Sequence, residues 1–156
     1  MTPTTREWVE KAERDFASAS REMRARKTPN YDLACFCAQQ CAEKYMKAVL
    51  QQLGRPIPRT HDLIKLLDLL GANFLELGLL HARLDALTPY AVHFRYPGES
   101  ATKVLAKRAC QDCTATREAV RLLLGLSASK NTARQASTRT ARKPASSRNR
   151  RKGSST

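Results

Sequence analysis

Apolar side chains in this sequence recur every three or four residues from Trp8 to Leu124, and no stretch alternates apolar and polar positions with strand composition. A period near 3.6 gathers such residues onto one stripe of a helix, whereas a half-buried strand needs a period of two. The pattern therefore confines the chain to an all-α fold. Trp8, Ala12, Phe16, Ala19 and Met23 predict a first helix over 5–26, with Arg6, Glu10, Lys11, Arg14 and Arg21 on its other faces. Thr28-Pro29-Asn30 interrupts it and supplies an N-cap, and a second helix is expected from Tyr31 to Leu53. The opening turns of that helix, Tyr31–Ala38, are apolar almost all round. Such a helix belongs at the centre of a bundle or in an interface with a second chain, and more apolar circumference than three neighbours can cover predicts a homodimer.

The remainder reads as shorter helices joined by tight connections. Gly54-Arg55-Pro56-Ile57-Pro58-Arg59 is a loop. Thr60 is the expected N-cap of a third helix, with Asp62 in its first turn, an apolar face of Leu63, Ile64, Leu66, Leu67 and Leu70, and Gly71 as C-cap. Asn73 with Glu76 predicts the start of a fourth helix that buries Leu77, Leu80 and Leu84 and ends before Pro89. After an irregular segment over 88–99, Ser100 is expected to cap a fifth helix to Leu124, with Leu105, Ala109, Cys113, Thr116, Val120 and Leu123/Leu124 turned inward. Short connections favour antiparallel neighbours, so the expected architecture is an up-and-down bundle of four to five helices over residues 1–126.

Charge divides the chain at the same boundary. Its 156 residues carry a formal +14, and nine of the cations lie in 127–156 with no acid among them, which leaves +5 for 1–126. This tail also lacks every large apolar residue and cannot offset its ordering entropy by burial, so it is expected to be disordered. Arg142, Lys143, Arg148, Arg150, Arg151 and Lys152 are its densest cations, suited to polyanions such as nucleic acid. The longest unbroken apolar run, Leu33–Ala38, is too short to span a membrane, and the N-terminus has no apolar core of a secretory signal. Five cysteines, an odd number, do not make a disulfide scaffold. These features point to a cytoplasmic protein with no membrane association.

Several groups of residues could carry chemistry. On the second helix, Gln40, Glu43, Lys44, Lys47 and Gln51 fall in register. Glu43 and Lys47 form an i,i+4 pair, which reads as a solvated face with a weak salt bridge. The sharper reading aims Lys44 and Lys47 at an anion bound near the basic loop Arg55–Arg59. His61, in the first turn of the third helix, would bond a neighbouring backbone group or Asp62. His93 and Arg95 share a face if their segment is extended. With Tyr90 and Tyr96 they would offer a cation and stacking surfaces for phosphate and base; otherwise Tyr96-Pro97 only packs the loop and Arg95 caps a helix end. Cys37, Cys41, Cys110 and Cys113 resemble zinc spacings, yet all lie in predicted helices among apolar neighbours, so core packing is expected and no metal or cofactor.

Three motifs in order resemble one family. Tyr31–Ala48 contains an apolar stretch leading into Gln39-Gln40-x-x-Glu43-Lys44-x-x-Lys47, followed by Pro58-x-Thr60-His61-Asp62-Leu63 and then Arg95-Tyr96-Pro97. Together they are similar to the HEPN domain family over residues 5–125. The resemblance implies a small helical bundle, commonly dimeric. Many members are ribonucleases, often toxins or defence effectors; others pair with nucleotidyltransferases or are thought to bind nucleotides. The ribonuclease members place a His four to six residues after an Arg. Here no His follows residue 93, and the one string with that spacing, Arg55 to His61, lies in a proline-containing loop before the third helix. The ribonuclease signature is absent, which places the chain with the branch lacking that motif.

The function expected from the resemblance is a module that binds a nucleotide or RNA beside a nucleotidyltransferase-like partner, in a toxin–antitoxin-like arrangement. Its phosphate-binding candidates are Lys44, Lys47, His61, Arg95 and Tyr96. The alternative is a ribonuclease toxin with a non-standard set, His93, Arg95 and Tyr96. The tail gives a separate expectation. Engagement of all nine cations by a single strand would give a log–log salt slope of about −6. Deleting 127–156 should remove most non-specific affinity, measured by salt titration of fluorescent oligonucleotide binding. Equal slopes with and without the tail would refute the assignment.

Overall fold

The computed structural model describes residues 1–71 and 73–126. The disorder expected of 127–156, and its six named cations, lie outside the described residues. Six helices follow in order: α1 Pro3–Arg24, α2 Tyr31–Gln52, α3 Leu63–Leu70, α4 Leu75–Gly78, α5 His81–Leu87 and α6 Lys103–Leu123, with 3₁₀ turns at Thr88–Ala91 and His93–Arg95. Among the described residues there is no strand, and no helix is long and apolar enough to cross a membrane.

α2 is the central element: 14 of its 22 residues are buried, and α1, α3, α5 and α6 all pack on it. The sequence permits this because one side of α2 is lined with small residues. Ala34, Ala38, Cys41, Ala42 and Ala48 let neighbouring backbones approach closely, while Tyr45, Met46 and Leu50 fill the space between them. Of the stretch Tyr31–Ala38, Ala34, Cys35, Cys37 and Ala38 are buried by the chain itself, while Leu33 stays 39% exposed. The excess apolar circumference expected of these turns is thus mostly covered within one chain.

The helix ends differ from expectation in instructive ways. Asn30 caps α2 by accepting from Leu33 N at 2.9 Å, and its own N–H donates to Glu22 Oε2 at 3.0 Å, so α1 holds the start of α2. Thr60 does not cap α3. Asp62 does, accepting from Ile64 N and Lys65 N, while Thr60 Oγ1 accepts from Asp62 N one step earlier. The single helix expected from Asn73 divides into α4 and α5, because Gly78 weakens the interior and neither piece has a side-chain cap. Thr102, not Ser100, caps α6. Leu105, expected inside, is 41% exposed. The buried stripe is Ala106, Ala109, Asp112, Cys113, Thr116, Arg117 and Val120, so α6 turns two charged residues inward.

Four cysteines, Cys35, Cys37, Cys41 and Cys113, are buried, and Cys110 is half-buried; all five are free thiols. They fill the core as small apolar groups. Burial pushes the Cys35 and Cys37 thiols up to about 11, helped by the negative charges of Asp32 and Asp15, respectively. Cys110 rises to about 12 by burial and its proximity to Cys113. Since the thiolate is the reactive form and burial pushes the Cys35 and Cys41 thiols up, iodoacetamide at pH 8 should leave these two unmodified in the folded protein and label both in denaturant. Mass spectrometry reads the result, and rapid labelling of the native chain would contradict this packing.

Candidate functional site

Gln39, Glu43 and Lys47 are spaced four apart on α2 and therefore lie on one helical face, where all three are buried. Glu43, 4% exposed, is the hub. Its Oε1 accepts from Lys47 Nζ at 2.8 Å. Its Oε2 accepts from Gln39 Nε2 at 3.1 Å and Gln40 Nε2 at 3.3 Å, and meets His61 Nδ1 at 2.9 Å. An ionised carboxylate only accepts, so His61 Nδ1 donates this bond, from a side chain 60% exposed. Gln39 Nε2 also donates to the His61 carbonyl at 2.9 Å, clamping the loop before α3 by main chain and side chain together. Burial pushes the Glu43 pKa up, but hydrogen bonds from Lys47, His61 and Gln39 and the Lys47 charge outweigh it, and the net shift is down.

The expected solvated face is corrected by this arrangement. The loop ahead of α3 folds over the Glu43–Lys47 pair and excludes water from it, and Trp8 of α1 closes the other side with its ring 5.8 Å from Lys47 Nζ. His61 likewise bonds Glu43, rather than Asp62 or a neighbouring backbone group. Lys44 is not beside Lys47: it faces α1, where it pairs with Asp15. Arg55 donates to the Leu69 carbonyl at the end of α3.

A second, partly buried network ties α1, α2 and α6. Glu13 accepts from Arg117 Nε at 2.8 Å and Nη2 at 2.9 Å, from Arg121 Nη1 at 3.2 Å, and from the Tyr45 hydroxyl. Burial raises the Glu13 pKa, yet the bonds from Arg117 and Tyr45 and the two arginine charges pull it below its ordinary value. The Tyr45 phenol moves up, through burial and through donating to Glu13.

The segment after α5 forms an open pocket of about 350 Å³ against the start of α2, lined by Asn30, Asp32, Leu33, Phe36, Tyr90, Phe94 and Arg95. Tyr90 and Phe94 stack at 5.5 Å between centroids, and the Arg95 guanidinium sits 5.3 Å over the Phe36 ring. Both distances are within the range of favourable aromatic and cation–π contact. Arg95 forms no ion pair among the described residues. Asp32 fixes the wall by accepting from the Ala101 N–H. The segment is not extended: a 3₁₀ turn at 93–95 separates His93 from Arg95, and His93 Nε2 turns instead to Glu99 at 2.6 Å. Tyr96 is 75% exposed and does not line the pocket, so neither the shared face nor the packing expected of it is found.

Of the five phosphate-binding candidates, Lys47 and His61 thus meet on Glu43, Lys44 pairs with α1, Arg95 lines the aromatic pocket and Tyr96 stands apart from it. Sequence reasoning missed Gln39, although its spacing of four from Glu43 placed it on the same face. It also missed Phe36 and Phe94, the half-buried Glu13 and the buried Asp112. Among the described residues, no group of three or more His, Cys, Asp or Glu is placed to hold a metal ion.

The HEPN domain family model matches residues 5–123. Two solved structures share the fold. TT1696 from Thermus thermophilus is 23% identical with a TM-score of 0.68, and the match covers 77% of this chain and 98% of that one. ST0689, an archaeal HEPN homologue, is 24% identical with a TM-score of 0.58, over 77% of this chain and 97% of its own. No curated protein matches the chain.

The Glu43 network gives a prediction with a sign. Glu43→Gln leaves the Lys47 ammonium buried without its counter-charge, a loss expected to cost about 3–5 kcal/mol in urea unfolding at pH 7. Because the folded-state pKa of Glu43 lies below its unfolded value, its contribution is present above that unfolded value, about 4.3, and is lost as pH falls through the folded one. The gap between wild type and variant should therefore narrow towards pH 3. A gap independent of pH would show that the carboxylate charge is not what matters.

Proposed function

The chain belongs to the HEPN domain family, and from that premise we propose that it is a nucleotide- or RNA-binding module whose ligand seat is the aromatic pocket beside Arg95. The observation that carries this reading is the combination in one pocket of a guanidinium with no ion pair among the described residues and an aromatic wall. A phosphate takes the cation, a base stacks on Phe36 or on the Tyr90–Phe94 pair, and Asp32 and Asn30 offer polar edges to sugar or base. His93 and Arg95 engage different partners, Glu99 and Phe36, so the geometry favours binding over a ribonuclease built on His93, Arg95 and Tyr96.

Family membership supports the wider setting: a homodimer, a nucleotidyltransferase-like partner in a toxin–antitoxin-like pair, and a cytoplasmic location. The residual exposure of Leu33 at the rim of the pocket supports a contact between copies there.

Isothermal titration of the full chain with nucleoside monophosphates and short oligonucleotides tests the reading. Stacking and charge together predict that Arg95→Ala weakens binding by about tenfold or more, with Phe36→Leu weakening it less. Unchanged affinity in Arg95→Ala would move the seat elsewhere. The same preparations should not cleave single-stranded RNA; cleavage that disappears in both His93→Ala and Arg95→Ala would promote the nuclease reading.

A further inference from the structure

We propose that a groove along α6, separate from the aromatic pocket, is a second binding site that takes a phosphoryl group, with Arg83, Lys107 and Arg108 surrounding the anion and buried Asp112 holding the two arginines in place. The groove has a volume of about 710 Å³ and runs from Arg83 of α5, past Lys107, Arg108, Gln111 and Thr114, to Met23 of α1.

Asp112 is 1% exposed and both its oxygens are occupied: Oδ1 by Arg83 Nη1 at 2.6 Å and Oδ2 by Arg108 Nε at 3.2 Å. A buried carboxylate needs one cation for neutrality; here it has two, from different helices. Each guanidinium carries five N–H donors, and each gives one of them to Asp112. The remaining donors sit on side chains that are 42% and 68% exposed at the groove wall. Lys107 is exposed beside them and forms no ion pair among the described residues.

Two cations on one carboxylate, with Lys107 lining the same groove, leave a local excess of positive charge. The two arginines are pinned side by side by the same group, so their mutual repulsion persists until an anion relieves it. The other acid of the groove, Glu118, lies ten residues beyond Arg108, about 15 Å along the helix axis, and marks the opposite end. The cationic end therefore offers forked donors suited to the tetrahedrally arranged oxygens of a phosphoryl group, supplied either by free phosphate or by a polynucleotide backbone.

The test is an NMR titration of the full chain that follows the Arg83 and Arg108 Nε–Hε signals, with sodium chloride at matched ionic strength as control. Pyrophosphate is one ligand and a short single-stranded oligonucleotide the other. Saturable shifts with pyrophosphate assign the site to free phosphate groups, and shifts with the oligonucleotide alone assign it to a backbone; either supports the proposal. Lys107→Gln combined with Arg108→Gln retains the Arg83–Asp112 pair and should weaken the response by about tenfold. Lys107→Gln alone, at an exposed position, serves if the double variant fails to fold. Arg95→Ala should leave these shifts unchanged, which separates this site from the aromatic pocket. No shift with either ligand beyond the chloride control, or a response that survives the Lys107 and Arg108 substitutions undiminished, would overturn it.

Discussion

Glu43 is a carboxylate at the heart of a helix that packs against four others, and it stays ionised there because four side chains reach it. Lys47, Gln39 and Gln40 come from its own helix and cost little to position, but His61 arrives from the loop before α3. A buried charge left without such partners would cost several kcal/mol. The 54–62 loop therefore folds back until His61 and its carbonyl meet Gln39 and Glu43, and this places Asp62 where it can start α3. The direction in which α3 leaves, and with it the position of Leu63, Leu66 and Leu70 in the core, follows from one polar contact.

The same part of α2 secures its other neighbours. Successive residues on a helix point about 100° apart, and Glu43, Lys44 and Tyr45 use that rotation to reach three partners. Glu43 takes the α3 loop, Lys44 takes Asp15, and Tyr45 takes Glu13, which in turn holds Arg117 and Arg121 of α6. Apolar packing of this kind specifies proximity but tolerates sliding; the directional bonds fix rotation and register of α1 and α6 about α2. With the bundle held in this way, the segment 88–102 is tied down by Thr88, which bonds Leu63 N and the Leu84 carbonyl, by Tyr90, Ala91 and Phe94, and by the Asp32 contact to Ala101, and it is there that an open pocket survives.

Much of the fold was legible because helical period and caps are local properties. The extents of α1 and α2, the Asn30 cap, the centrality of α2 and the core role of the cysteines could be read from neighbouring residues alone. What could not be read depends on partners distant in sequence. Glu43 and Lys47 look like a surface pair until a loop eighteen residues away covers them. Asp112 and Arg117 look like surface charges of α6 until Arg83 and Glu13, from other helices, make their burial tolerable. Leu105 loses its inward place for the same reason, since the stripe rotates to bring those charges to their partners. For the pocket, Arg95 was legible as a lone cation near aromatics, but its companions Phe36 and Phe94 were not, because a 3₁₀ turn rather than an extended strand decides which side chains meet.

The shared acids also shape the outside of the domain. Glu13 is shared by Arg117 and Arg121, Asp112 by Arg83 and Arg108, and Glu43 by Lys47 and His61. Each holds two basic side chains where one cation would neutralise it. Residues 1–126 carry a formal excess of only +5, yet sharing concentrates basic groups around a few acids, of which Glu43 and Asp112 are buried and shielded from solvent. At Asp112, an approaching anion meets the exposed guanidiniums of Arg83 and Arg108 before it meets the buried carboxylate that orients them. A modest net charge spread at random would steer anions weakly and bind none in particular. Anchored in pairs by internal carboxylates, the same charge becomes a small number of rigid, donor-rich places, and the side chains need lose little further freedom when a ligand arrives.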